Sequence, residues 1–98
     1  MARFDIYKGA NTRGLLLDIQ SDLLDEFGSR VVVPLLPAED MQSVSRLHPI
    51  FVINDETYIM STHLIFAIPL DRLGPKIGSL AQEDLVITSA VDKLFSGY

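Results

Sequence analysis

Apolar and polar positions alternate in the first twenty residues, and this alternation predicts strands with one buried face. Phe4 and Ile6 alternate with polar neighbours, and Leu17 and Ile19 do the same one segment later. The polar segment 8–14 lies between them and contains two glycines, which is typical of a hairpin loop. We therefore predict two strands joined by a solvated loop.

A β-branched run at residues 31–33 suits a third, buried strand. We expect Pro34 to end that strand and the next three residues to leave the sheet, because proline cannot donate to a ladder. Ser21 and Asp22 are good helix-capping residues, and Gly28 accepts a positive φ angle. The pattern predicts one short helical turn between the second and third strands.

The second half of the chain begins with a clear hairpin. Residues 50–53 and 57–60 are apolar or aromatic, and the Asn54-Asp55 dipeptide between them is a turn signal. Residues 64–68 are apolar throughout, which predicts a strand covered on both faces or a strand at an interface. Another short strand is expected within residues 70–77, interrupted by Gly74-Pro75.

The apolar period changes to that of an α-helix near the end of the chain. Ser79 and Gln82 have the spacing of a capping box, and Gly97 is a natural carboxyl-terminal cap. Five apolar residues fall on one helical face: Ile87, Ala90, Val91, Leu94 and Phe95. Six or seven short strands and one terminal helix predict a mainly β fold, a small curved barrel-like sheet capped by the helix. We expect a single domain over residues 1–98.

Composition narrows the functional classes. Thirteen acidic residues against eight basic ones give a net charge of -5, so the chain has no obvious basic face for nucleic acid. There is no cysteine, which excludes disulfides and thiolate metal sites. No leader-like segment and no apolar run long enough to span a bilayer is found, so we expect a soluble, cytoplasmic protein without membrane contact.

Candidate chemistry is sparse. His48 and His63 lie beside strand boundaries without metal-ligand spacing, and His63 has Ser61 or Thr62 as a neighbouring hydroxyl. Such clusters are common in hairpin loops, so we expect no catalytic residue. The acids at 18, 22, 25 and 26 lack the spacing of a calcium loop and are interpreted as strand-face and turn residues. We therefore expect no metal and no cofactor.

Apolar groups at positions that usually face water are more informative. Leu23 and Leu24 are adjacent on a tight polar turn, and Phe95 to Tyr98 end the chain. Two such groups in one small domain indicate a partner surface. Lys8 and Arg13 gather positive charge in the first loop, where they are candidates for contact with an acidic partner.

The same residues carry a resemblance to a known family. The chain is similar, nearly end to end, to the CcdB toxins of bacterial toxin–antitoxin modules. The similarity rests on the segment 17–25, on Gly28, Arg30 and 33–35, on Pro49 and Asp55-Glu56, and on Ile68-Pro69, Leu94-Phe95 and Gly97. It implies an SH3-like barrel of the CcdB/MazF type with a carboxyl-terminal helix.

The resemblance also implies a function. Such toxins are two-fold homodimers that poison DNA gyrase at its A subunit by trapping the enzyme on cleaved DNA, without catalysis. A CcdA-like antitoxin with a disordered acidic tail neutralises them, and DNA is bound only indirectly through that complex, which links the family to plasmid maintenance and transcription regulation. The gyrase-contacting residues map onto Leu23, Leu24, Asp92, Phe95, Ser96, Gly97 and Tyr98.

This chain departs from the family pattern at its end. The best-known members have tryptophan at the position of Ser96, isoleucine at Tyr98 and asparagine at Asp92. Two alternatives therefore stay open. One is a MazF-like endoribonuclease on the same fold, with His63 and either Arg46 or Arg72 as its candidates. The other is an inactive homologue that still binds its antitoxin.

Overall fold

The computed structural model of the chain describes residues 2–9, 14–24, 28–40 and 47–97. Within these ranges one antiparallel sheet of seven strands is followed by one α-helix. The strands are β1 Asp5–Lys8, β2 Leu15–Asp18, β3 Ser29–Pro37, β4 Ile50–Ile53, β5 Glu56–Met60, β6 Phe66–Pro69 and β7 Lys76–Ser79, and the helix is α1 Asp84–Ser96. The predicted mainly β, SH3-like barrel fold with a carboxyl-terminal helix is confirmed.

Strand β3 is the centre of the sheet, in the spatial order β4-β5-β3-β2-β1-β7. One edge of β3 pairs with β2, while the other pairs first with β6 and then with β5. Pro34 does not end this strand, contrary to prediction, and the strand continues to Pro37. Pro34 lies where one edge of β3 changes its pairing from β6 to β5. Its carbonyl accepts a hydrogen bond from the Ser61 N–H at 2.8 Å, and the missing N–H of proline is tolerated at this gap in the ladder.

The hairpin of β4 and β5 is confirmed. Asn54 and Asp55 both have positive φ angles, 51° and 67°, as a two-residue type I′ turn requires. The alternating pattern is also visible in burial, because Phe51 and Ile53 enter the core while Ile50 and Val52 stay exposed on the other face of β4.

The core lies between one face of the sheet and helix α1. Its buried members are Phe4, Ile6, Leu15, Leu17, Val33, Leu35, Phe51, Ile53, Tyr58, Met60, Ile87 and Ala90. The predicted apolar face of the first strand is therefore right. Its polar neighbours are buried as well: Asp5 accepts hydrogen bonds from the Ala2 N–H at 2.9 Å and the Tyr7 hydroxyl at 3.4 Å. Burial and the charge of Asp5 raise the pKa of Tyr7 to about 12.

Helix α1 begins later than the capping box predicts. The Ser79 hydroxyl accepts from the Ala81 N–H at 3.1 Å, and a 3₁₀ turn, Ala81–Glu83, precedes the helix proper. The predicted inward face is correct for Ile87 and Ala90, which are fully buried. Gly97 caps the helix as predicted, in the left-handed region with φ 76°.

Strand β6 is shorter and more open than the apolar run predicts. The first part of that run belongs to a 3₁₀ turn, Thr62–Leu64. In the strand itself Phe66, Ala67 and Pro69 are exposed, so the expectation of a strand covered on both faces is wrong for the isolated chain. The other interpretation of the apolar run, a strand at an interface, stays a prediction.

Candidate functional site

The turn that carries Leu23 and Leu24, here called the double-leucine turn, connects β2 to β3. A buried ion pair lies next to it, where β2 ends and β3 begins. The Arg30 Nε and Nη2 atoms donate to the two carboxylate oxygens of Asp18 at 2.8 and 3.1 Å. Both side chains are fully buried. Asp18 was interpreted from the sequence as the polar side of a strand, and its burial corrects that interpretation.

Burial acts on both charges of this pair. Burial raises the pKa of the Asp18 carboxyl, although hydrogen bonds from Arg30 and the Gln20 N–H oppose the change. Burial lowers the pKa of the Arg30 guanidinium, but the hydrogen bond and charge of Asp18 outweigh it and leave that pKa raised. The Arg30 Nη1 atom is buried with no hydrogen-bond partner in the described part of the chain. A buried ion pair that lacks one of its hydrogen bonds contributes little net stability. We therefore attribute the role of this pair to holding the neighbouring backbone in place.

The pair fixes the chain that leads into the turn. The Asp18 carboxylate accepts from the Gln20 N–H at 3.0 Å, and Arg30 Nη2 donates to the Gln20 carbonyl at 3.1 Å. The Gln20 side chain then spans the turn, accepting from the Val31 N–H at 3.1 Å and donating to the Leu24 carbonyl at 2.6 Å. Both ends of the turn are thereby tied to β3 and to each other.

The predicted helical turn is present as a 3₁₀ turn, Asp22–Leu24. The Ser21 hydroxyl accepts from the Leu23 N–H at 3.2 Å, as expected for a capping serine. Asp22 accepts from the Arg3 N–H at 2.8 Å, which also anchors the turn to the segment before β1. The acids at 25 and 26 lie outside the described residues.

The turn exposes two leucine side chains to solvent. Leu23 is 89% exposed and Leu24 is 47% exposed, whereas Leu15 and Leu17 on the strand before them are buried. Hydrogen bonds of the Gln20, Ser21 and Asp22 side chains hold the backbone that presents the two leucines. This is the arrangement expected of an interface anchor, which loses little conformational entropy on binding.

The end of helix α1 is the second predicted contact, and it is also exposed. The helical period predicts Phe95 on the inward face, but its side chain is 70% exposed, whereas Ile87 and Ala90 earlier on that face are buried. Asp92, Ser96 and Gly97 are exposed beside it. Tyr98 lies outside the described residues. No hydrogen bond or ion pair of the described residues joins this helix end to the leucine turn.

The predicted basic contact is only partly described. Lys8 is exposed at the end of β1, and Arg13 lies outside the described residues. Lys76 of the neighbouring strand β7 is aligned with Tyr7, so its side chain lies on the opposite face of the sheet from Lys8, where its Nζ atom is 3.4 Å from an Asp5 carboxylate oxygen. Sequence analysis missed Lys76, since nothing in its local pattern places β7 beside β1.

The candidate acid–base residues do not form the grouping that the sequence suggests. The Ser61 and Thr62 hydroxyls donate to the main-chain carbonyls of Ile59 and Leu47. The histidines instead meet each other, with His48 Nε2 2.8 Å from His63 Nδ1. Burial and the charge of His63 lower the pKa of His48.

Two observations concern metal clusters and membrane spans in the described ranges. They contain no group of three or more His, Cys, Asp or Glu side chains that could hold a metal ion. They also contain no helix with the length and apolar character of a membrane span.

Comparison with known proteins assigns the family. The family model described as "CcdB protein" matches residues 3–97, nearly the whole chain. The chain belongs to the CcdB family. The double-leucine turn and the helix end therefore lie in a CcdB protein, at the positions onto which the resemblance mapped the gyrase contacts.

Solved structures of other proteins share the fold of this chain. A mycobacterial endoribonuclease in complex with its cognate antitoxin has a TM-score of 0.79 at 14% identity, covering 97% of this chain and 94% of that one. The toxin MazF-mt6 of Mycobacterium tuberculosis has a TM-score of 0.76 at 16% identity, over 95% and 96% of the two chains. Another mycobacterial endoribonuclease has a TM-score of 0.80 at 15% identity, over 97% and 90%. At these identities the likeness shows the fold alone.

Proposed function

We propose that this chain is the toxin of a toxin–antitoxin module and that it binds the A subunit of DNA gyrase, trapping the enzyme on cleaved DNA. The CcdB family match supports the toxin class. The observation that carries the gyrase proposal is the exposure of Leu23 and Phe95 on a fixed turn and a capped helix end. In this proposal the chain has no reaction centre of its own and acts by binding.

The helix end supports a binding function although the family tryptophan is replaced by Ser96. Phe95 is the remaining described aromatic side chain of the tail, and its ring is exposed enough to enter a pocket of a partner. Gly97, two residues after Phe95, caps the helix, and its N–H donates to the Lys93 carbonyl at 2.9 Å. The backbone next to Phe95 is thus held in one conformation, which favours tight binding by an aromatic anchor.

An exposed apolar face supports the homodimer. Ile50 and Val52 are 56% and 70% exposed on the face of edge strand β4 that points away from the core. Phe66 lies on the same face of the sheet. It pairs with Val32 of β3, whereas Ile50 aligns through Ile59 with Leu36 of β3. Val32 and Leu36 are an even number of residues apart in that strand, so they and their partners share a face. Such a face usually marks an interface, and a two-fold dimer would present each leucine turn and helix end twice.

A cognate antitoxin is the second proposed partner. One of the structural neighbours was solved in complex with its cognate antitoxin, and the shared fold makes such a partner reasonable for this chain. An acidic antitoxin tail is complementary in charge to Lys8, which is exposed, and to Arg13 in the same loop, whereas the chain as a whole is acidic. We propose that DNA is bound only indirectly, through that complex.

A MazF-like endoribonuclease is the second candidate function, favoured by the endoribonucleases among the structural neighbours. We rank it below gyrase binding for two reasons. The net charge of -5 opposes binding of an RNA backbone. His63 is hydrogen-bonded to His48 rather than to a hydroxyl or a carboxylate in the described residues, so the hydroxyl pairing that the sequence suggests for a base is not formed there.

A gyrase cleavage assay tests the proposal. Purified toxin should increase the amount of linear, protein-linked DNA formed by gyrase, and Leu23→Ala or Phe95→Ala should lower this effect by roughly ten-fold or more. Leu85→Ala is the matched control, because Leu85 is 83% exposed but lies outside both contact surfaces. Absence of stabilised breaks at saturating protein would exclude gyrase.

RNA cleavage is measured with the same preparations. Cleavage of single-stranded or structured RNA that disappears in His63→Ala would support the endoribonuclease instead. Normal antitoxin binding with neither activity would support an inactive homologue.

A further inference from the structure

The two histidines of the chain come from distant segments and meet at one corner of the fold. His48 precedes strand β4 and is 5% exposed, whereas His63 is exposed on the 3₁₀ turn Thr62–Leu64. His48 Nε2 is 2.8 Å from His63 Nδ1, the ring centroids are 4.8 Å apart, and the ring planes are inclined by 59°. The chain has no other histidine.

These separations match those of two imidazoles that share a metal ion. With metal–nitrogen distances of about 2.0 Å, two ligand nitrogens are about 2.8 Å apart at a right angle and about 3.3 Å apart at a tetrahedral angle. The corresponding ring centroids are roughly 4.5 and roughly 5.1 Å apart. The observed centroid separation falls between these two values, so an ion would need the rings to turn but not to move apart.

We propose that His48 Nε2 and His63 Nδ1 together bind one divalent ion of the copper, nickel and zinc group, with water completing its coordination. Imidazole nitrogen is a preferred ligand of these ions, and hard ions such as magnesium prefer oxygen. The nitrogen separation is close to the right-angle value, which favours Cu²⁺ and Ni²⁺ over tetrahedral Zn²⁺.

Binding requires a rearrangement of one proton. Each neutral imidazole carries one N–H, and one of the two facing nitrogens holds its proton in the observed hydrogen bond. That proton must move to the other nitrogen of the same ring, so that both facing nitrogens offer a lone pair. No proton is lost from a neutral pair. The neutral imidazole is the form that binds the ion, so binding should weaken at acidic pH.

The consequences are local. The exposed His63 ring gives the ion a path from solvent, and no third protein side chain of the usual ligand types is available among the described residues. Binding should therefore be weaker than at a four-ligand structural site. A bound ion would connect the segment before β4 to the turn between β5 and β6, and so stabilise this corner.

Calorimetric titration of the untagged, chelator-treated protein with Cu²⁺, Ni²⁺ and Zn²⁺ tests the proposal, with Mg²⁺ as the negative control. We expect one ion per chain, perturbation of the NMR signals of both histidine rings, and a rise in the melting temperature. His63→Ala should lower the affinity by about ten-fold or more and abolish the rise in melting temperature.

Leu64→Ala, on the same turn, is the matched control and should bind as the wild type does. The proposal is overturned if no saturable binding occurs at millimolar metal, or if His63→Ala binds as tightly as the wild type. It is also overturned if Mg²⁺ binds equally well, because that would indicate an oxygen site elsewhere. None of these measurements depends on gyrase, so they remain decisive whatever the target of the toxin is.

Discussion

The Arg30 guanidinium faces the Asp18 carboxylate through two hydrogen bonds, of 2.8 and 3.1 Å, in the interior of the protein. The relationship joins the last residue of β2 to the second residue of β3, and the exposed leucines lie in the loop between them. A buried pair of charges therefore supports the apolar surface that we propose as a gyrase contact.

Removing one member of this pair should be strongly destabilising. Asp18→Ala removes both side-chain hydrogen bonds of the buried Arg30 charge to Asp18 and leaves it only the exposed Asp22 carboxylate at 3.5 Å, so we expect a loss of about 3 kcal/mol in the free energy of unfolding. The double variant Asp18→Leu with Arg30→Met removes both charges and should recover most of that loss. Urea denaturation of both variants measures the difference. If the single and double variants were equally unstable, uncompensated charge would not be the cause.

The Gln20 side chain should matter more for binding than for stability. Gln20→Ala removes the bonds to Val31 and Leu24, and we expect a loss of about 1 kcal/mol in stability. The leucines would then no longer be held in one position, so the gyrase cleavage effect should fall by several-fold. Gln20→Glu keeps the acceptor for Val31 but loses the donor to Leu24, and should give an intermediate result. Unchanged activity in Gln20→Ala would show that the turn needs no such support.

The exposed face of β4 gives a prediction about assembly. Val52→Glu places a charge on the proposed dimer face and should shift the protein to monomers, as measured by light scattering coupled to size exclusion. Folding should be retained, because the side chain of Val52 is 70% exposed in the single chain. Leu85→Glu, at an equally exposed helix position, should leave the assembly unchanged. A wild type that is already monomeric at micromolar concentration would contradict the dimer.

The histidine corner predicts a pH dependence of stability. The pKa of His48 is lowered from 6.5 in the folded protein, so below that pH the unfolded chain binds more protons than the folded one. The contribution of His48 is therefore fully present above about pH 6.5 and is lost as the pH falls toward the folded pKa. Unfolding free energies at about pH 7.5 and about pH 5.5 should differ more in the wild type than in His48→Gln. An equal difference in the two proteins would assign the pH dependence to other groups.

The sequence determined the local architecture of this protein, because hydrophobic period and turn chemistry act over a few residues. The β4–β5 hairpin was predictable from Asn54-Asp55, and the capped end of α1 from Gly97. Exposure of the double leucine was also predictable, since a polar three-residue turn has no inner face on which to bury both side chains. The family resemblance rested on these same segments.

Only the tertiary structure decided which distant groups meet. Pro34 lies within a strand because β6 and β5 pair with successive parts of the same edge of β3. This pairing cannot be predicted from the residues next to Pro34. Asp18 is buried because Arg30 reaches it across the sheet, although its position in β2 has the pattern of a solvent-facing residue. His48 and His63 become neighbours only when the segment before β4 packs against the turn after β5. In each case the deciding contact joins residues from different segments of the chain. The burial and the hydrogen bonds of each residue depend on its partner, which local sequence patterns do not identify.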